Sequence, residues 1–269
     1  TRKLVADQMG TRPMGSIAVR GLEQRIEAFE LCGEAEARPF AGGAGGIFVD
    51  RASELADLAG ALRSALLGKG RFVAVVGEAG VGKSSFVGRF VNEEARTLPV
   101  HRVAIERYNG TSPFHPVREL LSSMIGLGGL ASDRRGERLR ERLEQLGLAD
   151  AGLEAPLADL LGVGAKPEDW LLLDPQARSQ MTTSAVRTLV LKESERRPLV
   201  LVIEDVQRAD SGTLGLLGVL ADALPQHRIL LIVTCRSGFE HPWSQKEAYR
   251  HLRLDRLGSA HTEQLNERL

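Results

Sequence analysis

The 269-residue chain is 43% hydrophobic, enough for a sizeable buried core, and it balances 35 basic against 35 acidic side chains. That balance leaves no net field to draw in nucleic acid or an anionic membrane surface, so neither is indicated as a partner. No apolar run approaches the about 20 residues needed to cross a bilayer, and Cys32 and Cys235 lie far apart and outside any metal-ligand spacing, as expected of a cytoplasmic chain.

Taken in order, the first 36 residues differ in character from the rest of the chain. Ser16 to Arg20 and Ile26 to Leu31 read as two short strands joined by Gly21-Leu22-Glu23-Gln24-Arg25, a β-hairpin that would be marginal alone. The stretch MGSIAVRGLEQRIEAFEL resembles the closing segment of class III adenylate/guanylate cyclase domains. In that family the metal-binding aspartates and the transition-state arginine come earlier, so the resemblance implies a C-terminal remnant without catalytic residues. With Thr1 at the start and Leu269 inside a helix-like stretch, a piece of a longer chain is expected.

Glu34 to Ile47, with Ala41-Gly42-Gly43-Ala44-Gly45-Gly46 inside it, has little to bury and much backbone freedom, the composition of a linker. The expected domains are therefore a remnant at 1–36, a Gly-rich linker at 37–47 and a main domain at 48–269. Leu55, Leu58, Leu62, Ala65 and Leu66 then recur at helical spacing from about Arg51 to Leu67.

The apolar run Phe72 to Val76 leads into GEAGVGKSS, Gly77 to Ser85, and then the helix-like KSSFVGRFVNEEA. Strand, Gly-rich turn and helix are the setting of a P-loop. Its four fixed positions, Gly77, Gly82, Lys83 and Ser84, would coincide by chance in about one chain in a hundred of this length, which disfavours an ordinary turn. Glycines let successive N–H groups converge on phosphate, the helix N-terminus adds positive potential, and Lys83 adds a mobile charge. Candidate nucleotide-binding residues are Gly77, Ala79, Gly80, Val81, Gly82, Lys83, Ser84 and Ser85, with the Ser84 hydroxyl on Mg²⁺.

Further along, Val100 to Ile105 is expected as a strand lying parallel beside the P-loop strand as its neighbour, and Pro116 opens a helix through Met124. Leu139, Leu143 and Leu146 line one face of a charged helix whose alternating signs predict a solvated outer face, and a short helix comes next near Leu157 to Leu161. Asp174 caps a long helix from Pro175 to about Glu195. Leu199 to Ile203 is apolar without alternation, a strand covered on both faces, and it ends in Glu204 and Asp205. An acidic pair at that end of a parallel sheet suits a P-loop enzyme: register puts Glu204 on the metal side and Asp205 on the water side. After a helix from Asp210 to Leu224, the strand Arg228 to Val233 delivers Thr234-Cys235-Arg236, and Arg236 is the candidate sensor of the terminal phosphate. His251 to Leu254 reads as a fifth strand and Ser259 as the cap of a final helix.

The ordered set GEAGVGKSSFVGRF, SPFHPVRELL, LVLVIEDVQRADSGTLGLL and ILLIVTCRSGFEHPW before HLRLDRL resembles the STAND class of AAA-like P-loop ATPases, notably the regulatory module that follows the cyclase domain in multidomain bacterial adenylate cyclases. The resemblance covers about Phe48 to Leu269. It implies an α/β P-loop NTPase fold with a five-stranded parallel sheet between helices and the P-loop strand central. It also implies ATP or ADP with Mg²⁺, a nucleotide-controlled switch, other domains of a longer chain as partners, and nucleotide-dependent self-association. Two departures stand out. Where the family carries a hydrophobic-hydrophobic-Gly-Arg-Glu signature on the adenine side, this chain has Phe48-Val49-Asp50-Arg51-Ala52, which keeps Arg51 as the base-side candidate. Where the family has His-Trp before Ala-Asp, Gln207-Arg208 precede Ala209-Asp210, which points to slow or lost hydrolysis. The guanine-reading Asn-Lys-x-Asp and the Leu-Ser-Gly-Gly-Gln signature of ABC transporters are both absent. Three readings stay open: a slow ATPase switch, a nucleotide-binding module without turnover, and a part of a chain whose main activity is nucleotide cyclisation.

Overall fold

The structure, a computed structural model, describes residues 9–17, 26–34, 51–105, 113–164 and 166–255. The expected linker at 37–47, the 1–36 boundary and the last helix capped by Ser259 lie outside the described residues.

Two strands, β1 (Met9–Ile17) and β2 (Ile26–Glu34), pair antiparallel from Met9↔Glu34 to Ile17↔Ile26. An antiparallel hairpin is as expected, but its first strand covers Met9–Ile17 where Ser16 to Arg20 was expected, and its second runs past Leu31 to Glu34. Pro13 lies inside β1, and the register shifts between Met9 and Thr11 and between Pro13 and Gly15. A two-stranded ribbon is all edge, so a residue without an N–H costs little there.

The main domain is a five-stranded sheet, and every pairing in it is parallel. Its strands are β3 (Arg71–Val76), β4 (Val100–Ala104), β5 (Leu199–Glu204), β6 (Ile229–Cys235) and β7 (Tyr249–Arg253), in the order β4-β5-β6-β3-β7. Helices α1 (Ala52–Leu66) and α2 (Lys83–Glu94) cover one face. On the other lie α3 (His115–Ile125), α4 (Ser132–Gln145), α5 (Glu154–Leu161), α7 (Pro175–Arg196) and α8 (Ser211–Ala223), while the short α6 (Glu168–Leu172) buries Trp170.

The unbroken apolar runs acquire a period of two only once they are seen from both faces. Leu199, Leu201 and Ile203 join the core under α7 and α8, whereas Val200 and Val202 join the core under α1 and α2. In β6, Ile229, Leu231 and Val233 go one way and Leu230 and Ile232 the other. The same parity sends Glu204 and Thr234 toward the face that α2 covers.

Sheet order corrects two expectations. The P-loop strand β3 is interior but one place from the edge, and the middle belongs to β6, all seven of whose residues are buried. Nor does β4 neighbour β3: it forms the far edge and pairs with β5, Ala104 opposite Glu204. A chain leaving α2 has room to cross past two strand positions, and β5 and β6, the most continuously apolar strands, fill them.

Charges on α4 behave largely as expected, with Arg134 against Glu137 and Arg138 against Glu141 on the outside. Arg142 differs: Nη2 donates to Glu193 Oε2 at 2.7 Å, and Glu193 is 2% exposed. This buried pair ties α4 to α7 beside the core side chains Leu139 and Leu143.

Candidate functional site

The site forms where β5, β6 and β3 end side by side. Val76 lies opposite Cys235, and Ile203 opposite Val233, so the loop after β3, Asp205 after β5 and Arg236 after β6 emerge at one edge of the sheet. In open parallel sheets this carboxyl edge is where ligands gather.

Loop shape follows from its glycines. Gly77 donates its N–H to the Cys235 carbonyl at 3.3 Å, and a Cβ there would stand 2.6 Å from the Leu254 carbonyl oxygen. Gly80 and Gly82 take φ of 79° and 91°, the left-handed region that only glycine enters without strain. Gly82 then serves as N-cap of α2 with no side-chain cap, and no acidic residue sits in the first turn. The first-turn N–H groups of α2 have no intrahelical acceptor, and Ser84 and Ser85 are exposed there beside them. Ala79 and Gly80 are exposed on the loop, with Val81 partly covered.

Lys83 is 8% exposed and folds back over this loop, donating from Nζ to the carbonyls of Gly77 and Glu78, each at 2.9 Å. An ammonium has three donors, so one remains for an anion in the cradle. Beneath it, burial pushes the Cys235 thiol up to about 11, with the Lys83 charge pulling the other way. Cys235 is a free buried thiol.

Arg51 is also buried. Nη2 donates to the carbonyls of Val81 at 3.3 Å and Asp255 at 2.7 Å, and Nη1 lies 3.5 Å from Glu54. It fastens the phosphate loop to the chain leaving β7.

Each acid at the end of β5 already has a partner. Glu204, 4% exposed, is ion-paired through Oε1 with Arg102 of β4. Asp205 has φ 57° and ψ 42°, and its N–H donates to Thr234 Oγ1 at 3.0 Å. Its Oδ1 accepts from Gln207 Nε2 at 3.0 Å, and Oδ2 lies 3.3 Å from Arg208 Nη1. Arg208 Nη1 also donates to the Ile105 carbonyl at 3.2 Å. Arg236 is exposed just past Cys235, with no side-chain hydrogen bond or ion pair among the described residues. At the start of α3, His115 Nε2 lies 3.5 Å from Glu119 Oε1.

Among the described residues no cluster of three or more His, Cys, Asp and Glu side chains could hold a metal. The oxygen donors that could take Mg²⁺, with phosphate and water supplying the rest, are Ser84 Oγ, exposed at the start of α2, and the Glu204 carboxylate, which in the structure is already ion-paired with Arg102. A groove of about 380 Å³ beside β7, lined in part by Asp57, Ser64, Arg71 and Arg250, lies off the carboxyl edge and includes none of the loop residues.

These residues gain their setting from a family match: the AAA ATPase domain family matches residues 47–233, more than half of the chain. The chain belongs to that family. Over 221 residues the chain is 25% identical to an uncharacterized protein of Rhizobium meliloti (strain 1021), covering 81% of this chain and 21% of that one. It thus spans about a fifth of that relative's length. Among solved structures, a Walker-type ATPase of Pyrococcus abyssi overlaps at 15% identity and a TM-score of 0.42, over 82% of this chain and 57% of that one. Cdc6p from Pyrobaculum aerophilum gives 14% and 0.40 over 79% and 48%, and Drosophila ORC bound to DNA gives 14% and 0.47 over 81% and 46%. No described helix of the AAA ATPase domain is long and apolar enough to cross a membrane.

The fold brings three further side chains to this edge, and the sequence gives no role to two of them, Thr234 and Arg102. Thr234 was visible as a lone hydroxyl closing the apolar run ILLIVTC. Arg102 shares a strand parity with Glu204, but only once β4 and β5 are known to pair. Arg208 was seen as a departure from the family pattern; that it reaches Asp205 depends on the left-handed turn at Asp205, which a run of residue types does not reveal.

Proposed function

We propose that this AAA ATPase domain is an ATP-binding switch module that hydrolyses ATP slowly. The observation that carries the reading is Lys83, held on the carbonyls of Gly77 and Glu78 over a loop whose Gly80 and Gly82 have positive φ, at the uncapped N-terminus of α2. In this reading Gly77, Ala79, Gly80, Val81, Gly82, Lys83, Ser84 and Ser85 bind the phosphates. Ser84 and Glu204 would hold Mg²⁺, whose charge would offset that of the terminal phosphates. Asp205 orients the attacking water, Arg236 senses the γ-phosphate, and Arg51 acts on the base side by fixing the loop to Asp255.

The reading extends to the longer protein of which the chain would be part. Residues 1–36 would close a neighbouring cyclase-type domain, 37–47 would link it, and 48–269 would carry the STAND-type switch, self-associating with nucleotide state. The test is binding of a fluorescent ATP analogue and phosphate release by the 269-residue chain, against Lys83→Ala and Asp205→Asn. Lys83→Ala should lose binding, and Asp205→Asn should bind normally while phosphate release stops. Equal binding by wild type and Lys83→Ala would overturn the nucleotide site. The second reading, binding without turnover, is favoured by one observation: the carboxylate of Asp205 is already occupied by Gln207 and Arg208. Tight ATP binding with no phosphate release by wild type would decide for it.

A further inference from the structure

Resting on the ATPase reading above, we propose that Gln207 and Arg208 are positioning residues that hold the Asp205 carboxylate in a restrained orientation and so keep turnover slow. Three features carry this. First, the backbone at Asp205 is fixed: φ 57° is unusual for a residue with a side chain, and the N–H is anchored on the buried hydroxyl of Thr234. With the backbone pinned, the side chain has few torsions left, and a contact to each oxygen settles them.

Second, both oxygens have contacts, Oδ1 from Gln207 Nε2 at 3.0 Å and Oδ2 from Arg208 Nη1 at 3.3 Å. Hydrolysis by this site requires the water oxygen to form a bond to the γ-phosphorus while the bond to the β,γ-bridging oxygen breaks. The electron pair stays on ADP, and the proton of the water passes to Asp205. A carboxylate has about four acceptor positions, so the clamp does not exhaust them. It fixes their direction and sets a guanidinium beside the group that must gain a proton.

Third, Arg208 is tied to the scaffold as well as to Asp205, through the Ile105 carbonyl at the end of β4. A guanidinium free to follow the carboxylate would not restrain it; one anchored on a neighbouring strand does. The clamp is also incomplete, because Gln207 Oε1 is buried with no donor among the described residues.

Asp205 and Arg208 are 37% and 28% exposed, so the pair is screened and reversible. A restraint of that kind predicts a gain of about fivefold in kcat when Arg208 is removed and about tenfold when Gln207 goes too. The experiment measures phosphate release and ATP binding by the 269-residue chain carrying Arg208→Ala, Gln207→Ala, both together, and Arg208→Ala combined with Asp205→Asn. Expected are a rise in kcat with ATP affinity within about twofold of wild type, the largest rise in the Gln207/Arg208 double variant, and no gain in the Asp205→Asn background. Because Asp205→Asn alone stops phosphate release, the discriminating readout is Arg208→Lys: by keeping the cation beside Asp205 Oδ2 it should raise kcat less than Arg208→Ala, a charge dependence that a merely structural loop change would not give. If Arg208→Ala fails to fold, Gln207→Ala and Arg208→Lys take its place, with a smaller rise expected from each. Normal ATP binding with unchanged or lower kcat in these variants overturns the proposal alone. Failure of wild type to bind ATP would remove the nucleotide reading and the proposal with it.

Discussion

A methyl group on Gly77 would meet the Leu254 carbonyl oxygen at 2.6 Å and Val81 Cγ1 at 2.9 Å. Val81 can rotate, but Leu254 cannot retreat cheaply, because its own N–H is bonded to the Val76 carbonyl at 2.7 Å. Overpacking against backbone costs about 1–3 kcal/mol, and here it is discharged into the phosphate loop. Gly77→Ala is therefore expected to weaken binding of a fluorescent ATP analogue by at least about tenfold, and Gly215→Ala supplies the control. Gly215 lies within α8 with nothing within 4 Å of its would-be Cβ, so that variant should bind normally and gain about 0.5–1 kcal/mol of stability. Equal affinity in both variants would mean that the close approach at Gly77 has no bearing on the cradle. At this scale the sequence was informative where chemistry imposes a residue type, as at Gly82 with φ 91° or Lys83 on its two carbonyls. It was silent where a partner is distant in the chain: Arg102 and Glu204 meet only through strand pairing, and Arg51 reaches Asp255, 204 residues further on.

Elements were legible to the extent that their signals are local. Pro175 after Asp174 marks a helix start, and in the structure Asp174 Oδ1 accepts from the N–H groups of Gln176 and Ala177, both at 2.9 Å. Removing such a cap leaves two donors to water and costs about 1 kcal/mol. Asp174→Ala should lower the denaturant midpoint by that amount with an unchanged slope, whereas Asp174→Asn should recover most of the loss; a midpoint equal to wild type in Asp174→Ala would show that α7 is held by its buried face alone. Strands β5 and β6 were legible because each is an unbroken apolar run, and the first turn of α2 because a P-loop must precede it. Strand order was not. An apolar run carries no label for its neighbour, so the middle position of β6 and the pairing of β4 with β5 come from packing of the whole domain. The early start of β1 was hidden for a different reason, since Pro13 reads as a breaker although an edge ribbon tolerates it.

Across the whole molecule, the helices between β4 and β5 are joined to the sheet partly through a charged cluster, and this gives stability a defined response to acid. His101 in β4 is 9% exposed and its Nδ1 lies 2.9 Å from Ser123 Oγ on α3. Burial, helped by the positive charges of Arg197 and Arg142, lowers its pKa from 6.5 to about 4. Arg142 is itself committed to Glu193 on α7, so its charge cannot move away when His101 takes a proton. The unfolded chain protonates His101 near 6.5 and the folded one only near 4, so between these values the unfolded state holds more protons. Stability therefore rises with pH across that window, is complete above it, and is lost as pH falls through it. From pH 7 to pH 5 this single group should remove about 2 kcal/mol, or about 4–8 °C in Tm for a domain of this size. His227 and His241, both lowered by burial, add smaller changes of the same sign. Thermal melts of wild type and His101→Asn at pH 7, 6 and 5 measure the effect. The variant starts from a lower Tm at pH 7 because the Ser123 contact is altered, but its Tm should fall less by pH 5, and the two curves should converge. Parallel curves would show that His101 is not the group through which acid loosens the attachment of α3 and α7 to the sheet.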